Sequence, residues 1–304
     1  MRIAVLGPGG VGGLIAALLA RAGSEVLVIA RESTAEVIAE RGLRVKSTMF
    51  GELDVRVPAR GRLTEEVDVL IVATKAAGLA GALERVEAEP DLVLPLLNGL
   101  DHIAVLRRRF RPGSVLAGTI RVEADRPEPG LVIHSSPFLL ISMASHDSSA
   151  RPGMQMLAHA LSEAGVPVSV LESEAQVMWS KLVRLNALAC TTSAHDTLLG
   201  EIRSTPELRA ELVGAIEEAC AVGRAEGAQD VDPATALAEL DRAHETLGSS
   251  MQRDIAAGRP PELDAIPGAV LRAAALHGIP CPTIERLVAM IAARARMPIP
   301  AFDR

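Results

Sequence analysis

The sequence is nearly bare of aromatic side chains, with no tyrosine, one tryptophan (Trp179) and four phenylalanines in 304 residues. So sparse a set cannot build the base-stacking platforms of single-strand nucleic-acid binders. An excess of positive charge is missing too. Thirty-one Lys and Arg stand against 38 Asp and Glu, a net charge of −7. That balance argues against nucleic acid and anionic membrane surfaces as general partners. Cysteine is scarce: Cys190, Cys220 and Cys281 lie far apart, with no Cys-x-x-Cys pair. Neither a disulfide framework nor a zinc knuckle is indicated, and a reducing compartment fits. The seven histidines show no His-x-x-x-His spacing, so no metal site is expected. Long apolar runs are absent as well. The longest candidate apolar helix, Val11 to Ala20, is about half the length needed to span a bilayer. The apolar start, Met1 to Leu6, breaks at once into Gly7-Pro8-Gly9-Gly10. It reads as a strand and a turn rather than a secretion signal, and the expected location is the cytoplasm.

What is present is an ordinary globular composition, long enough for two domains and a sizeable core. Compact apolar runs at Arg2–Leu6, Glu25–Ala30, Val67–Ala73 and Leu92–Leu97 alternate with helical stretches. Strands buried on both faces and separated by helices imply a parallel sheet wound on both sides. Further β-rich pieces follow at Ser114–Ile120, Leu131–His134 and Phe138–Met143, then a helix near Gly153–Ala164 and a closing strand at Val166–Leu171. From about Glu172 the texture becomes helical. Segments are expected over Glu174–Ala189, Pro206–Glu226, Pro233–Gly258, Ile266–His277 and Pro282–Arg296, with Pro and Gly as starts and stops. The fold class is therefore α/β: a Rossmann-type, doubly wound domain over residues 1–171, then an all-α domain over residues 172–304.

Gly7-x-Gly9-x-x-Gly12 follows a strand and opens a helix, the context that makes this pattern informative. The first glycine permits the tight turn and the second lets a pyrophosphate approach the backbone. The third lets helix and strand pack closely, while the helix N-terminus offers unpaired N–H groups to the anion. Gly7, Gly9, Gly10, Val11 and Gly12 are the expected cofactor contacts; the bland alternative is a glycine-rich turn with no ligand. The end of the second strand separates NAD from NADP. An NAD enzyme usually places a carboxylate there for the ribose 2′-hydroxyl. Here Arg31 follows Ala30, and a guanidinium can pair with a 2′-phosphate. Glu32 adjoins it, but the charge logic favours NADP. Two other strand ends carry polar groups, Thr74-Lys75 and Asn98-Gly99. Lys75 can counter phosphate or carboxylate charge, and Asn98 can donate and accept at a carbonyl. A snorkelling lysine and an Asn-Gly turn are the alternatives.

With these marks in place the chain resembles the ketopantoate reductase family (2-dehydropantoate 2-reductases) over nearly its whole length. The resemblance is carried by Gly7-Pro8-Gly9-Gly10-Val11-Gly12, Arg31, Thr74-Lys75 and Leu97-Asn98-Gly99, then by Trp179-Ser180-Lys181-Leu182, Ser249-Ser250-Met251 and Glu262-Leu263-Asp264. His277-Gly278-Ile279-Pro280-Cys281-Pro282 is similar to the family's late turn. The resemblance implies a C-terminal domain of the 6-phosphogluconate dehydrogenase type and an NADPH-dependent reduction of ketopantoate to pantoate, in pantothenate and coenzyme A biosynthesis. It implies Lys181 as the catalytic lysine and Glu262 as the carboxylate that assists it. Asn98 is implied on the substrate and cofactor side, Ser250 at the substrate's carboxylate, and Lys75 and Arg31 at the cofactor. A small 2-oxo acid is then the expected partner. A homodimer is only the default of symmetry.

The chain also departs from the family pattern. Asparagines are usual four and eight residues after the lysine, and here Leu185 and Ala189 stand there, with Asn186 the nearby substrate-side candidate. One residue along a helix is a rotation of about 100°, so Asn186 substitutes only if the helix is shifted or bulged. Leu247 replaces a third asparagine, and Pro267 precedes Gly268 where Asn-Gly is usual. Fewer amides imply a more apolar pocket, since a site built on hydrogen bonds discriminates strongly. Two alternatives stand beside the ketopantoate reading: the same chemistry on a less polar 2-oxo acid, and a non-catalytic NADP-binding regulatory protein.

Overall fold

The computed structural model describes residues 1–302. Two compact units emerge from it. One holds Met1–Leu97 and His102–Val177; the other holds Asn98–Asp101 and the chain from Met178 on.

In the first unit the chain runs β1 (Arg2–Leu6), α1 (Gly10–Arg21), β2 (Glu25–Ile29), α2 (Glu32–Arg41), β3 (Leu43–Ser47), β4 (Gly51–Val55), β5 (Ala59–Arg60) and β6 (Val69–Val72). It continues as α3 (Leu79–Leu83), β7 (Leu92–Pro95), α4 (His102–Arg109), β8 (Ala117–Arg121), β9 (Ala124–Glu128), β10 (Leu131–His134), β11 (Leu140–Ala144), α5 (Arg151–Glu163) and β12 (Val168–Val170). The central sheet is parallel, in the order β5-β2-β1-β6-β7. β1, β2, β6 and β7 are apolar at successive positions because both faces are covered. Ile3 and Val5 of β1 pack into one core cluster with α1 and α5. Ala4 and Leu6 point into the other, with α3 and α4. This is the doubly wound sheet expected from the alternation of strands and helices.

Two smaller sheets differ from that expectation. β12 does not close the parallel sheet; it pairs in parallel with β11, which pairs antiparallel with β8. β4, β3, β10 and β9 form a separate four-stranded sheet. Period-2 patterning reports that a segment is extended, not which strand it pairs with.

The helical unit begins within α6 (Glu174–His195), whose first turn still belongs to the first unit, so the division falls a few residues beyond the boundary expected at 171/172. α7 (Leu199–Ser204), α8 (Pro206–Ala225), α9 (Pro233–Arg242), α10 (Ser250–Ala256), α11 (Pro267–His277) and α12 (Pro282–Ala295) follow. Here two expectations are corrected. The helix read as Pro233–Gly258 is two helices, because Ser249 caps a new start: its hydroxyl accepts from the Gln252 N–H at 3.0 Å. And α6 runs six residues past Ala189; within it the Thr191 and Thr192 hydroxyls are satisfied locally, donating back to the carbonyls of Ala187 and Leu188 at 2.8 and 2.7 Å. Among the described residues no helix is long and apolar enough to cross a membrane, and no group of three or more His, Cys, Asp or Glu is placed to hold a metal ion.

Candidate active site

The first unit carries the glycine loop at the carboxyl end of β1. Gly7 turns the chain with φ +88°, its N–H bonded to the Ile29 carbonyl. A Cβ on Gly12 would lie 2.2 Å from the Gly7 carbonyl oxygen, so α1 and β1 approach too closely for any side chain there. Gly9 is different. It is the N-cap of α1, and a Cβ on it would meet nothing within 4 Å. The cradle therefore opens to space above Gly9. The first-turn N–H groups of α1 have no intrahelical acceptor, and no acidic residue occupies that turn. This donor set fits a pyrophosphate. Gly10 serves packing as well, since a Cβ there would strike the Ala124 carbonyl oxygen at 2.3 Å. Val11 is half-buried in the same turn. Next to the loop, the buried Thr74 hydroxyl has no partner among the described residues, while its methyl carbon lies 2.8 Å from where a Gly7 Cβ would be. Thr74 was singled out in the sequence as a strand end and a mark of the resemblance, without a role of its own; its unsatisfied hydroxyl adds an unused polar group beside the cradle.

Arg31 is exposed at the N-cap of α2 and makes no ion pair among the described residues. Glu32 is turned elsewhere. Its carboxylate accepts from Arg85 Nη1 at 2.7 Å, and that hydrogen bond holds its carboxyl below the usual range. The neighbour that complicates the charge logic is thus already engaged. Lys75 lies exposed just beyond β6, at the start of the short turn Ala76–Gly78.

The second unit assembles three of the expected residues. Lys181 Nζ donates to Asn98 Oδ1 at 2.8 Å, and Asn98 Nδ2 donates to Glu262 Oε2 at 3.2 Å. The amide so bridges an ammonium and a carboxylate, and only one orientation of it suits both: oxygen toward the cation, nitrogen toward the anion. Lys181 stands on α6, seated by the preceding Trp179. That indole is 2 % exposed and lies against α8 at Gly223, where a Cβ would fall 3.1 Å from the ring. Asn98 sits in a segment of bends whose next residue, Gly99, has φ +86° and presses on Ala265; a Cβ there would be 2.0 Å from the Ala265 carbonyl oxygen.

Sequence reasoning missed the group that ties these segments together. Arg272 on α11 donates to Asp101 Oδ2 at 2.5 Å, to Asp264 Oδ1 at 2.7 Å and to the Asp264 carbonyl at 2.8 Å. Burial weighs against its cation, but the two carboxylates outweigh that and hold its pKa above the ordinary value. Asp264 was visible as part of a motif; its partner eight residues on could have been read as a helix-borne arginine, but not as a link to Asp101.

The other substrate-side residues are less concentrated. Ser250 is exposed at the first position of α10. Ser249 beside it is buried, its hydroxyl 2.8 Å from Thr192 Oγ1, within hydrogen-bond distance. α6 is regular α-helix throughout, with no bulge. Asn186 therefore stays off the Lys181 stripe, fully buried, accepting from Cys190 Sγ at 3.5 Å while its Nδ2 has no partner among the described residues. Leu185 is half-buried one turn beyond Lys181, and Ala189 and Leu247 are buried. All three cysteines are buried, and burial pushes the thiols of Cys220 and Cys281 up to about 11 and about 12. They are poor nucleophiles at neutral pH.

Two family models match the chain: "Ketopantoate reductase PanE/ApbA" over residues 3–143 and "Ketopantoate reductase PanE/ApbA C terminal" over residues 175–295. The 2-dehydropantoate 2-reductase of Mycobacterium tuberculosis is 30 % identical, with 97 % of this chain and 98 % of that protein aligned. A crystal structure of 2-dehydropantoate 2-reductase from Geobacter metallireducens is similar with a TM-score of 0.88 and 25 % identity, over 96 % of this chain and 99 % of that one. D-mandelate dehydrogenase, solved with NADH and anilino(oxo)acetate, shares the fold with a TM-score of 0.87 at 22 % identity, over 97 % and 99 % of the two chains.

Proposed function

We propose that this chain, which belongs to the ketopantoate reductase family and is an NAD(P)-dependent 2-oxo acid reductase of that type, uses NADPH to reduce 2-dehydropantoate to pantoate. The observation that carries the reading is the bridge Lys181–Asn98–Glu262. When bound, the nicotinamide cofactor would supply a hydride for the 2-carbonyl carbon, leaving negative charge to grow on the carbonyl oxygen. The Lys181 ammonium stabilises that charge and delivers the proton that completes the alcohol. Asn98 fixes the ammonium through its Oδ1, and Glu262 fixes Asn98, so the lysine is held before substrate arrives. The exposed Ser250 hydroxyl is assigned to the substrate carboxylate. On the nucleotide side, the open cradle at Gly9 and the N–H groups of α1 take the pyrophosphate. Arg31, with Glu32 drawn off by Arg85, would hold the 2′-phosphate, and Lys75 would add positive charge toward the cofactor.

A second reading keeps this chemistry and changes the acid. Leu185, Ala189 and Leu247 stand where the family usually has asparagine, and none of them offers a side-chain donor to a substrate hydroxyl. A less polar 2-oxo acid suits a site without those amides, and the fold-mate D-mandelate dehydrogenase was solved with anilino(oxo)acetate. One experiment separates the readings: NADPH oxidation with ketopantoate and a panel of apolar 2-oxo acids, beside a Lys181→Ala control. Ketopantoate as the best substrate, with turnover lost in the control, is the expected result. An apolar acid preferred by a wide margin selects the second reading, and turnover that survives Lys181→Ala refutes both.

A further inference from the structure

We propose that Arg272 is the positioning residue of this site, a staple whose two carboxylate partners hold Asn98 and Glu262 in register for Lys181. The inference rests on the catalytic reading of Lys181, Asn98 and Glu262 given above.

Asn98 and Glu262 are 164 residues apart in sequence and meet through a single hydrogen bond of 3.2 Å. That contact alone is weak. A neutral-to-charged hydrogen bond at a half-exposed position does not fix a segment of bends, and Asn98–Asp101 contains no regular element. Arg272 supplies the missing constraint from a rigid helix. Asp101 lies three residues after Asn98, Asp264 two residues after Glu262, and one guanidinium grips both. A third bond, to the Asp264 carbonyl, fixes the main chain as well as the side chain. The Arg272 side chain is 19 % exposed, whereas those of Asp101 and Asp264 are 55 % and 70 % exposed. The cation is therefore the enclosed member, and the acids reach in to it from two segments. The local sequence makes room for this grip. Gly268, one turn before Arg272, has its N–H bonded to the Leu263 carbonyl, and a Cβ there would come within 3.2 Å of Arg272 Nη1.

The planar fork is what the geometry needs. Two nitrogens are used, one shared between Asp101 and the Asp264 carbonyl. A lysine ammonium is a single point charge and cannot span the same partners. With the staple gone, the Asn98 segment still folds against Ala265, but its amide is free to drift by a fraction of an ångström or more. A misplacement of about 1 Å can cost roughly a hundredfold in rate.

The test measures kcat, KM for NADPH and thermal midpoint for Arg272→Met, Arg272→Lys and Asp101→Asn, beside Lys181→Ala and Glu262→Gln. Expected is a fall in kcat of about ten- to hundredfold for Arg272→Met, an intermediate loss for Arg272→Lys, and a smaller one for Asp101→Asn. KM for NADPH should stay within about twofold, because the glycine loop and Arg31 are untouched. Added guanidinium ion should restore part of the Arg272→Met activity. A purely architectural arginine would instead lower the midpoint and leave kcat per folded molecule unchanged. Wild-type kcat in folded Arg272→Met and Asp101→Asn, while Lys181→Ala and Glu262→Gln are impaired, overturns the staple alone. If Arg272→Met does not fold, Arg272→Lys and Asp101→Asn decide, since Asp101 is largely exposed. Full turnover in Lys181→Ala instead removes the catalytic reading on which the staple stands.

Discussion

Two glycines of the nucleotide loop should respond in opposite ways to the same added methyl group. At Gly12 the methyl has nowhere to go, since it would sit 2.2 Å from a backbone oxygen and 3.0 Å from the Ala73 side chain. The helix must back away from β1, at the cost of about 1–3 kcal/mol usual for overpacking. At Gly9 the methyl meets nothing within 4 Å, and φ −74°, ψ −161° is backbone that alanine adopts freely. Alanine is the poorer N-cap, but it also lowers the entropy of the unfolded chain by about 0.4–1 kcal/mol. The two terms nearly cancel, so Gly9→Ala should leave the thermal midpoint within a few degrees of the parent. Its effect lies in the open space. There the methyl stands where a pyrophosphate approaches the N–H groups of α1, and each charge-assisted bond lost is worth about 1.5–3 kcal/mol. Loss of one such bond weakens NADPH by about ten- to a hundredfold. Thermal denaturation and fluorescence titration with NADPH, run on both variants, read the two effects separately. Wild-type NADPH affinity in Gly9→Ala would refute the placement of the pyrophosphate at this loop, whatever Gly12→Ala does.

Arg31→Ala should raise KM for NADPH by about ten- to a hundredfold and leave KM for NADH nearly unchanged; steady-state kinetics with both cofactors measures the ratio, and an equal effect on the two would remove Arg31 from the 2′-phosphate. Asn186→Leu should raise the thermal midpoint by a few degrees, because a fully enclosed Nδ2 without a partner costs about 1–3 kcal/mol. An unchanged midpoint with a raised KM for the 2-oxo acid would put that amide on the substrate instead. Glu174, at the first turn of α6, accepts from Arg107 and His146. Burial pushes its carboxyl up, but Arg107 and His146 outweigh it and hold the pKa below the ordinary value. A carboxyl depressed in the folded state stabilises the protein above its unfolded pKa and loses that contribution as pH falls through the folded one. Glu174→Gln should therefore lower the midpoint at neutral pH and lose less of it than the parent on acidification; parallel melting curves down to acid pH would contradict this.

The parallel sheet was legible because its strands are short, apolar at successive positions and punctuated by turn residues. Burial on both faces leaves that mark at β1, β2, β6 and β7 whatever their neighbours do. Pairing left no comparable mark. β8, β11 and β12 read as extended, yet their assembly into a sheet of their own depends on contacts between segments far apart. The break between α9 and α10 did leave a local trace, Gly248-Ser249 followed by Gln252, which the helical periodicity on either side obscured. In the site, Lys181 and Glu262 were named through resemblance and Asn98 already as a polar strand end, but the bridging role of Asn98 depends on which amide atom faces which charge. The Arg272 grip joins residues 171 positions apart. No spacing rule reaches that far, because helix and strand periodicities describe neighbours along one element only.

Trp179 has a practical consequence beyond its packing. With no tyrosine in the chain, it is the protein's main intrinsic fluorophore. It lies two residues before Lys181, sealed from water against Gly223. Its emission therefore watches the seat of the lysine-bearing helix with little competing signal. A red shift or a change in lifetime during titration with cofactor or substrate reads out a loosening of α6 on α8 directly. No label is needed, and no residue of the proposed site has to be altered to make the measurement.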